Sequence, residues 1–218
     1  DLTVTGVQTC ALPICRDGFG RTDRALVPGT DRSNVYTPDD IMNGVEPEGP
    51  VIVFDDDHYY MGSVISERLR ALGRDVVLVT PEAVVSAFTT YTLEQSRVQA
   101  RLMKAGIRIV ASHSLVSIGA DATELRCSYT DRVSTIACTS VVLVTALTSN
   151  DGLYTELVQT AVDDDDGGPR RIVRIGDCYA PGTIAAAVWS GHRCARAPFA
   201  EITDEVPFRL ERVELVEG

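Results

Sequence analysis

The sequence is poor in features that mark several classes of protein. No apolar run approaches the roughly 18 residues that a membrane-spanning helix needs, which argues against an integral membrane protein. Basic residues are outnumbered, since 20 Lys and Arg stand against 31 Asp and Glu and the net charge is −11. Such a surface repels nucleic-acid backbones and anionic membranes. We therefore predict a protein that binds neither nucleic acid nor a membrane.

The cysteines lack the spacing of a metal site or a disulfide framework. Two of the six, Cys10 and Cys15, lie in the first fifteen residues, and no CxxC pair occurs. The other four have apolar or mixed neighbours: Cys127, Cys138, Cys178 and Cys194. Such thiols are typical of reduced, structural cysteines. We predict a cytoplasmic protein with unpaired cysteines.

The first fifteen residues, DLTVTGVQTCALPIC, have no helix cap, hydrophobic period or signal-peptide pattern. Val4–Ile14 matches, codon for codon, the translation of a common sequencing-library adapter. A segment of such origin is set aside before a fold is inferred. We therefore predict that residues 1–15 are adapter-derived. We also expect the natural protein to extend further upstream, with this chain as its C-terminal part.

The rest of the chain has the composition of a globular protein, with 44% hydrophobic and 23% charged residues. Residues 16–50 are rich in Gly, Pro, Asp and Arg, which is typical of a connecting segment. Apolar runs at 51–54 and 75–80 predict two strands, and helical spacing over 62–72 predicts a helix between them. Together they form a βαβ unit of the size that opens a nucleotide-binding domain.

Similar patterns continue to the end of the chain. A helix is predicted over 92–106 with Thr92 as its cap, followed by a strand at 107–112. Val, Ile and Thr are dense over 115–145, which predicts a small antiparallel meander that ends in a buried strand at 141–145. The last predicted elements are a helix, a strand and a helix, at 151–161, 171–177 and 183–196. The predicted fold class is therefore α/β.

The strand, turn and helix near the C-terminus carry the most specific candidate site. Gly176 allows a ligand to approach the backbone closely, and Asp177 supplies a carboxylate for a sugar or ribityl hydroxyl. The helix begins near Gly182 and Thr183, where N–H groups and the helix dipole favour a pyrophosphate. We predict that these four residues contribute to a nucleotide site, since the arrangement resembles the second half of the flavin-nucleotide domain in flavoproteins with two dinucleotide domains. An ordinary strand, turn and helix is the alternative.

The loop after the first strand, DDDHYYMG at 55–62, has the position of a dinucleotide fingerprint but not its chemistry. Asp55 and Asp57 stand where the first two glycines would fall, and about one extra residue precedes Gly62. Two carboxylates would repel a pyrophosphate. We predict that the fold pattern persists here without cofactor binding. A metal site is disfavoured because adjacent residues rarely converge on one ion.

The remaining polar motifs are weaker. The acidic run DDDDGGP at 163–169 is more typical of a solvated loop than of a cation site. His58, His113 and His192 are scattered and have no partner nucleophile or paired carboxylate, so no catalytic residue and no metal ligand is predicted. Trp189, in the last helix, is predicted to lie in the core.

Three stretches resemble one known family: VIVFDDDHYYMGSVISERLRALGRDVVLVTPE, SAFTTYTLEQSRVQARLMKAGIRIVASHSLVSI and RIGDCYAPGTIAAAVWSGHRCAR. They are similar to the trimethylamine, dimethylamine and histamine dehydrogenases, which are NADH:flavin oxidoreductases related to old yellow enzyme. The resemblance covers roughly residues 17–217, and the degenerate first loop is one of its marks. It implies a Rossmann-like three-layer nucleotide-binding domain over 51–146, inserted into a second FAD/NAD(P)-type domain. Residues 16–50 would be a linker and a fragment of that second domain, and 147–218 its C-terminal part.

The resemblance also implies an activity. Family members oxidise amines at FMN in an N-terminal barrel, pass electrons through a four-iron (4Fe-4S) cluster and deliver them to an electron-transferring flavoprotein. Their C-terminal nucleotide site holds ADP, whereas the related 2,4-dienoyl-CoA reductases hold FAD there and use NADPH at the second domain. For this chain we expect a partial ADP or FAD site, with FMN and the cluster only in the missing N-terminal part. The chain alone would then be inactive.

The expected partners are the missing barrel domain, an electron-transferring flavoprotein and a second copy of the parent in a homodimer. Two alternatives stay open. The chain could belong to an NADPH-dependent dienoyl-CoA or enoate reductase, or it could be a non-catalytic interaction module that docks an electron-transfer partner. Phe88 and Tyr91, predicted to be exposed, are the aromatic residues to test for such docking, although packing against the neighbouring domain is the favoured role.

Overall fold

The computed structural model describes residues 20–147, 149–163 and 172–196. These residues fall into two compact units. The larger unit comprises residues 20–147, and the smaller unit comprises the other two ranges. The predicted adapter-derived segment at 1–15 lies outside the described residues, as does the acidic run after Asp163.

The larger unit contains two sheets and three α-helices in its described residues. Its strands are β1 (Val35–Tyr36), β2 (Val51–Asp55), β3 (Val76–Val79), β4 (Arg108–Val110), β5 (His113–Ile118), β6 (Ala122–Cys127), β7 (Val133–Ala137) and β8 (Ser140–Val144). Its helices are α1 (Pro38–Met42), α2 (Met61–Ala71) and α3 (Gln95–Lys104). The predicted βαβ unit is therefore confirmed as β2, α2 and β3.

Five strands form a parallel sheet in the order β1-β8-β2-β3-β4. The central strand β2 is paired on both sides, with Ile52 opposite Val77 of β3 and Val141 of β8. Every residue of β2, β3 and β8 is buried, as is typical of parallel strands that are covered on both faces. The α/β class is confirmed.

The position of β8 corrects the prediction for residues 115–145. The antiparallel sheet consists of β5, β6 and β7 alone, and β8 pairs in parallel with β1 and β2. The strand at 141–145 is buried, as predicted, but the prediction that it belongs to the antiparallel meander is wrong. The reason is that an all-buried strand needs cover on both faces, whereas the outer strand of the meander, β7, is largely exposed.

Alternate residues of β2 belong to two hydrophobic cores, because side chains of a strand point to opposite faces in turn. Val51 and Val53 belong to the core that includes residues of α2 and α3: Ile65, Leu69, Val98 and Leu102. Ile52 and Phe54 belong to the core that includes residues of the antiparallel sheet: Leu115, Ile118 and Leu125. Each fully buried side chain of this kind contributes about 1.5–3 kcal/mol. The end of β2 is therefore held firmly from both sides.

Residues 16–50, predicted as a connecting segment, contain a strand and a helix in their described part. β1 joins the parallel sheet through Val35, which lies opposite Val141. α1 begins with a capping box in which Thr37 Oγ1 accepts from the Asp40 N–H at 3.2 Å, while the Asp40 carboxylate accepts from the Thr37 N–H at 2.8 Å. The motif TPDD carries this signal, and the sequence prediction missed it.

α3 begins at Gln95 rather than at the predicted Thr92. Glu94 is the N-cap residue, so the prediction of Thr92 as the cap is wrong. The Thr92 hydroxyl donates instead to the Thr89 carbonyl at 3.1 Å and lies 2.8 Å from Glu94 Oε2. The Thr92 hydroxyl therefore binds the 3-10 turn at Ala87–Thr90 and not the N-terminus of α3, where the sequence pattern placed it.

The smaller unit contains α4 (Gly152–Asp163), a 3-10 turn (Gly176–Cys178) and α5 (Ile184–Arg196) in its described residues. Both predicted helices are confirmed. The strand predicted over 171–177 is wrong, because residues 172–175 form no strand and Gly176 begins the turn. A strand needs a neighbour for its backbone groups, and the described residues of this unit offer none.

Three other predictions can be compared with the structure. Trp189 is 51% exposed rather than in the core, and the Arg193 guanidinium lies 5.4 Å from its ring centroid. The four cysteines after residue 100 are free thiols, as predicted. In the part of the chain that the structure describes, no helix is long and apolar enough to cross a membrane.

Candidate functional site

The first loop, residues 55–62, follows the carboxyl end of β2. In open α/β sheets this edge is the usual place for a ligand. β2 ends at Asp55, and α2 begins at Met61. The Asp56 N–H donates to the Val144 carbonyl of β8 at 2.8 Å, which ties the loop to the neighbouring strand. The loop is therefore well placed to receive or to exclude a nucleotide.

Asp55 fills the space in front of α2. Its side chain is fully buried, and its Oδ1 accepts the His58 N–H at 3.1 Å. A Cβ at Gly62 would lie 2.6 Å from the Asp55 Cβ, so only glycine fits there. Burial raises the pKa of Asp55 to about 7, although the bond from His58 acts in the opposite direction. A carboxyl group of the protein thus occupies the helix N-terminus where a fingerprint would hold a pyrophosphate.

Asp56 holds an N-terminal loop, residues 20–25, against the same edge. Its carboxylate accepts the backbone N–H of Arg21, the N–H of Thr22 at 3.1 Å and the Thr22 hydroxyl at 2.5 Å. The buried ring of His58 completes the cluster, because its Nε2 lies 3.3 Å from Asp56 Oδ1 and 3.3 Å from Thr22 Oγ1. The Asp56 carboxylate therefore accepts its hydrogen bonds from residues of this chain.

The two carboxyl groups after Asp55 respond differently to their surroundings. Burial acts to raise the pKa of Asp56, but hydrogen bonds from His58 and Thr22 outweigh it and hold the pKa below its ordinary value. Burial raises the pKa of Asp57, although Arg21 opposes the change. The Arg21 guanidinium lies 3.8 Å from Asp57 Oδ1 and is half-exposed. Asp56 is thus the firmly ionised anchor of the cluster.

Phe88 forms the outer wall of this cluster. The Arg21 guanidinium lies 5.1 Å above its ring centroid and donates to the Asp57 carbonyl at 3.3 Å. The His58 ring meets Phe88 edge-on at 5.5 Å, and the Phe88 N–H donates to the His58 carbonyl at 2.9 Å. Phe88 is therefore half-buried, and the prediction that it is exposed is wrong. Tyr91 is 86% exposed, as predicted.

Side chains of this cluster fill the space at the carboxyl edge of the parallel sheet. Sequence reasoning missed Arg21 and Thr22, because their contacts with Asp56 join residues about 34 positions apart and no local motif announces them. Within the described ranges, no group of three or more His, Cys, Asp and Glu residues could hold a metal ion. The edge has the location of a nucleotide site but is already occupied by carboxylates.

The smaller unit brings the four predicted site residues into one turn. The Gly176 N–H donates to Ser190 Oγ at 2.8 Å, and its φ of +58° is one that glycine adopts without strain. Asp177 Oδ1 accepts the Gly182 N–H at 3.1 Å. Thr183 Oγ1 accepts the N–H of Ala186, at 3.3 Å, in the first turn of α5. The turn before α5 is therefore internally hydrogen-bonded.

Two features of this turn bear on the predicted ADP or FAD site. α5 has 13 residues, enough for a full dipole, and Gly182 and Thr183 at its start are exposed. Asp177 is half-buried beside them, and Gly182 uses only its Oδ1. The other carboxylate oxygen suits a sugar hydroxyl. The assignment of Gly176 and the other three as cofactor ligands stays a prediction.

Comparisons with known proteins agree with this architecture. Residues 36–138 match the family described as OYE-like second alpha/beta domain. Histamine dehydrogenase from Rhizobium sp. 4-9 is 39% identical, with a TM-score of 0.81 over 93% of this chain and 32% of that chain. The 6-hydroxypseudooxynicotine amine oxidase of Pseudomonas geniculata N1 is 39% identical, with a TM-score of 0.75 over 81% of this chain and 26% of that chain. Dimethylamine dehydrogenase of Hyphomicrobium sp. (strain x) is 29% identical over 211 residues, which are 87% of this chain and 28% of the relative.

The region 36–138 is thus an OYE-like α/β domain. The similarity to these relatives fits the trimethylamine, dimethylamine and histamine dehydrogenase family, as the sequence motifs implied. The chain spans about a third or less of the length of these relatives.

Proposed function

We propose that the protein to which this chain belongs is a flavin-dependent oxidoreductase of the amine dehydrogenase type. The observation that carries the proposal is the 39% identity to a histamine dehydrogenase over 93% of the chain. An equally similar amine oxidase supports the same class of reaction. FMN and a 4Fe-4S cluster in the N-terminal barrel domain would supply amine oxidation and electron transfer. We expect the chain alone to have no turnover.

In this proposal the larger unit is a Rossmann-like three-layer domain, inserted over 51–146, that has the fold of a dinucleotide domain without its binding function. The contacts of Asp55 and Asp56 support this role. Both carboxyl groups occupy the edge where a pyrophosphate would need N–H donors, and one of them excludes any side chain at Gly62. The unit then contributes shape and packing to the parent enzyme.

The smaller unit would contribute half of an ADP or FAD site within the FAD/NAD(P)-type domain. Gly182 and Thr183 would place the start of α5 near the pyrophosphate. The Gly182 N–H donates to Asp177 Oδ1, so the other carboxylate oxygen of Asp177 would accept a hydrogen bond from a sugar or ribityl hydroxyl. Gly176 would let the backbone approach the nucleotide. We expect the Gly-rich partner loop of a complete domain to lie in the N-terminal part of the parent protein. We therefore expect weak binding by this chain and no cofactor on purification.

The proposal includes an electron-transferring flavoprotein as the acceptor and a homodimeric, cytoplasmic parent. Tyr91, which is 86% exposed, is the side chain to test for docking. In the full-length protein, Tyr91→Ala should slow electron delivery to the flavoprotein, measured as the rate of its reduction. Tyr129 is 78% exposed and offers a matched control, so Tyr129→Ala should leave that rate unchanged. Equal effects of the two changes would remove Tyr91 from the interface.

An NADPH-dependent dienoyl-CoA or enoate reductase is the less favoured alternative. Such an enzyme needs an open NADPH site in the inserted domain, whereas Asp55 and Asp56 fill that edge. A non-catalytic interaction module is the other alternative. It would share the exposed Tyr91 but would not need the half-site at Asp177.

The test uses the full-length protein with FMN and the cluster loaded. We expect reduction of an artificial dye that depends on an added amine, such as histamine or dimethylamine, and no reduction of a dienoyl-CoA by NADPH. The 218-residue chain is the control and should give no amine-dependent reduction. Amine turnover by the chain alone, or tight NADPH binding by it, would contradict the proposal. A full-length protein without any amine activity would favour the interaction module.

A further inference from the structure

A cleft of about 340 Å³ opens on the antiparallel sheet of the larger unit. It is lined by a histidine of β5, a cysteine at the end of β6 and residues of the hairpin that leads into β7: His113, Cys127, Thr130, Arg132 and Ser134. The first loop and the predicted half-site share none of these residues. The cleft therefore needs a separate explanation.

The hairpin fixes the position of Cys127. Its N–H donates to the Arg132 carbonyl at 3.0 Å, and its carbonyl accepts the Asp131 N–H at 3.0 Å. His113 lies opposite Cys127 in the β5–β6 register. His113 Nδ1 lies 2.7 Å from the Ala111 carbonyl and must donate to it, because a carbonyl oxygen only accepts. A free, partly exposed thiol thus sits in a polar cleft on rigid backbone.

The surroundings of Cys127 favour its thiolate. A hydrogen bond from the Thr130 side chain, followed by those from the backbone N–H groups of Tyr129 and Thr130, lowers the pKa of the thiol below its ordinary value. Asp131 opposes this change, and Arg132 adds a positive charge to the wall of the cleft. Thiolates are the nucleophiles of thiol–disulfide exchange, so this cysteine combines access with reactivity.

We propose that Cys127 is a reversible modification site, at which small disulfides that carry carboxylates form a mixed disulfide with the protein. The Cys127 thiolate attacks one sulfur of the small disulfide. A new S–S bond forms, the original S–S bond breaks, and the departing thiolate takes a proton from water. Cys127 is oxidised, one half of the small disulfide is reduced, and no other oxidant is needed. Arg132 pairs with a carboxylate of the reagent and makes the site selective for anionic disulfides.

The other cysteines of the chain provide internal comparisons. Cys138 is buried, and its Sγ lies 3.1 Å from Thr123 Oγ1. Burial raises the pKa of Cys138, so it should stay unmodified. Cys178 and Cys194 are free and partly exposed, like Cys127, but do not line this cleft. They control for exposure alone.

The reduced 218-residue chain is treated in parallel with oxidised glutathione, which is anionic, and with cystamine, which is cationic. Peptide mass spectrometry then gives the modification rate of each cysteine. With oxidised glutathione we expect Cys127 to react several-fold faster than Cys178 and Cys194, because it lies in the cleft beside Arg132 and its thiolate accepts hydrogen bonds from the hairpin. If Cys127 reacts no faster than these two, the proposal is wrong.

The selectivity is tested with two arginine variants. Arg132→Gln should slow the reaction of Cys127 with oxidised glutathione several-fold and leave the reaction with cystamine unchanged or faster. Arg126→Gln is the matched control, because Arg126 neighbours Cys127 in the sequence but does not line the cleft. It should leave both rates unchanged. An Arg132→Gln variant that slows both reagents equally, or neither, would overturn the role of Arg132 and the anionic selectivity of the site.

Discussion

The Asp55 carboxyl group lies against the backbone of Gly62, so closely that a Cβ at position 62 would come within 2.6 Å of the Asp55 Cβ. The two residues stand at opposite ends of the first loop, which connects β2 with α2. In a dinucleotide fingerprint, glycine near the start of the helix makes room for the ligand and for close helix packing. Here it makes room for a carboxyl group of the same chain. The position of a nucleotide site is thus occupied by an internal contact.

Replacing Gly62 with Ala should destabilise the larger unit by about 1–3 kcal/mol, because the added methyl group overlaps a buried carboxyl group. Urea unfolding followed by circular dichroism measures this change. Asp55→Ala frees the space. The double variant should therefore be more stable than the sum of the two single effects predicts. Strictly additive effects would show that the contact is not the source of the loss.

The ionisation of Asp55 should make the larger unit less stable as the pH rises from about 4 to about 7. In the unfolded chain this carboxyl group has a pKa near 3.8, whereas burial raises it to about 7 in the fold. Between these values the unfolded state loses the proton and the folded state keeps it, so rising pH favours unfolding. The difference corresponds to about 4 kcal/mol once the pH exceeds 7.

Asp55→Asn should remove this part of the pH dependence. The variant keeps an oxygen for the His58 N–H but carries no charge at any pH. We expect it to be more stable than the wild type at pH 8 and to differ little at pH 4, measured by urea unfolding. Asp31 is exposed, so Asp31→Asn controls for the loss of one negative charge. The explanation fails if Asp55→Asn retains the wild-type slope.

Asp56→Ala should release the N-terminal loop, residues 20–25. The carboxylate of Asp56 accepts hydrogen bonds from Arg21 and from Thr22, and their loss should cost about 2–4 kcal/mol. The pKa of Asp56 is held below its ordinary value. This stabilisation is therefore present at neutral pH and is lost as the pH falls through the folded-state pKa.

Trypsin digestion reports the release directly, because the loop contains Arg21 and Arg24 as cleavage sites. Cleavage after these residues should become faster in the Asp56→Ala variant. Asp57→Ala is the control from the same loop, because its carboxylate makes only a half-exposed ion pair with Arg21. Equal cleavage rates in the wild type and Asp56→Ala would mean that Asp56 does not hold the loop.

The βαβ unit could be predicted from the sequence because its signals are local. The apolar run at 51–54 and the helical spacing over 62–72 each lie within one element, and the structure has both. The closed edge could not be predicted, since Thr22 and Asp56 are 34 residues apart. The strand predicted at 171–177 is wrong for a related reason, because strand formation also depends on residues that are distant in the sequence. Its apolar residues fit a strand, but a strand exists only where a neighbour accepts its hydrogen bonds.

The turn in the candidate half-site is formed by contacts between residues that are close in the sequence. Asp177 and Gly182 are five residues apart and share a hydrogen bond of 3.1 Å, so the turn that joins them could be inferred from GDCYAPG. Whether the carboxylate also meets a nucleotide depends on ligand chemistry that no local pattern encodes. A binding measurement is needed to separate the two roles.

In the full-length protein, Asp177→Ala should weaken the binding of ADP or FAD by about 1.5–3 kcal/mol, the range for a hydrogen bond that involves a charged group. Isothermal titration calorimetry measures the change. Asp177→Asn keeps an oxygen for the Gly182 N–H and so preserves the turn, but it removes the charge. If the charge matters, both variants should bind more weakly, whereas a loss confined to Asp177→Ala would assign the effect to the turn. Asp55→Ala changes a carboxyl group of the larger unit and should barely alter affinity. Unchanged binding by Asp177→Ala, or lost binding by Asp55→Ala, would place the nucleotide at the first loop and reverse the proposed roles of the two units.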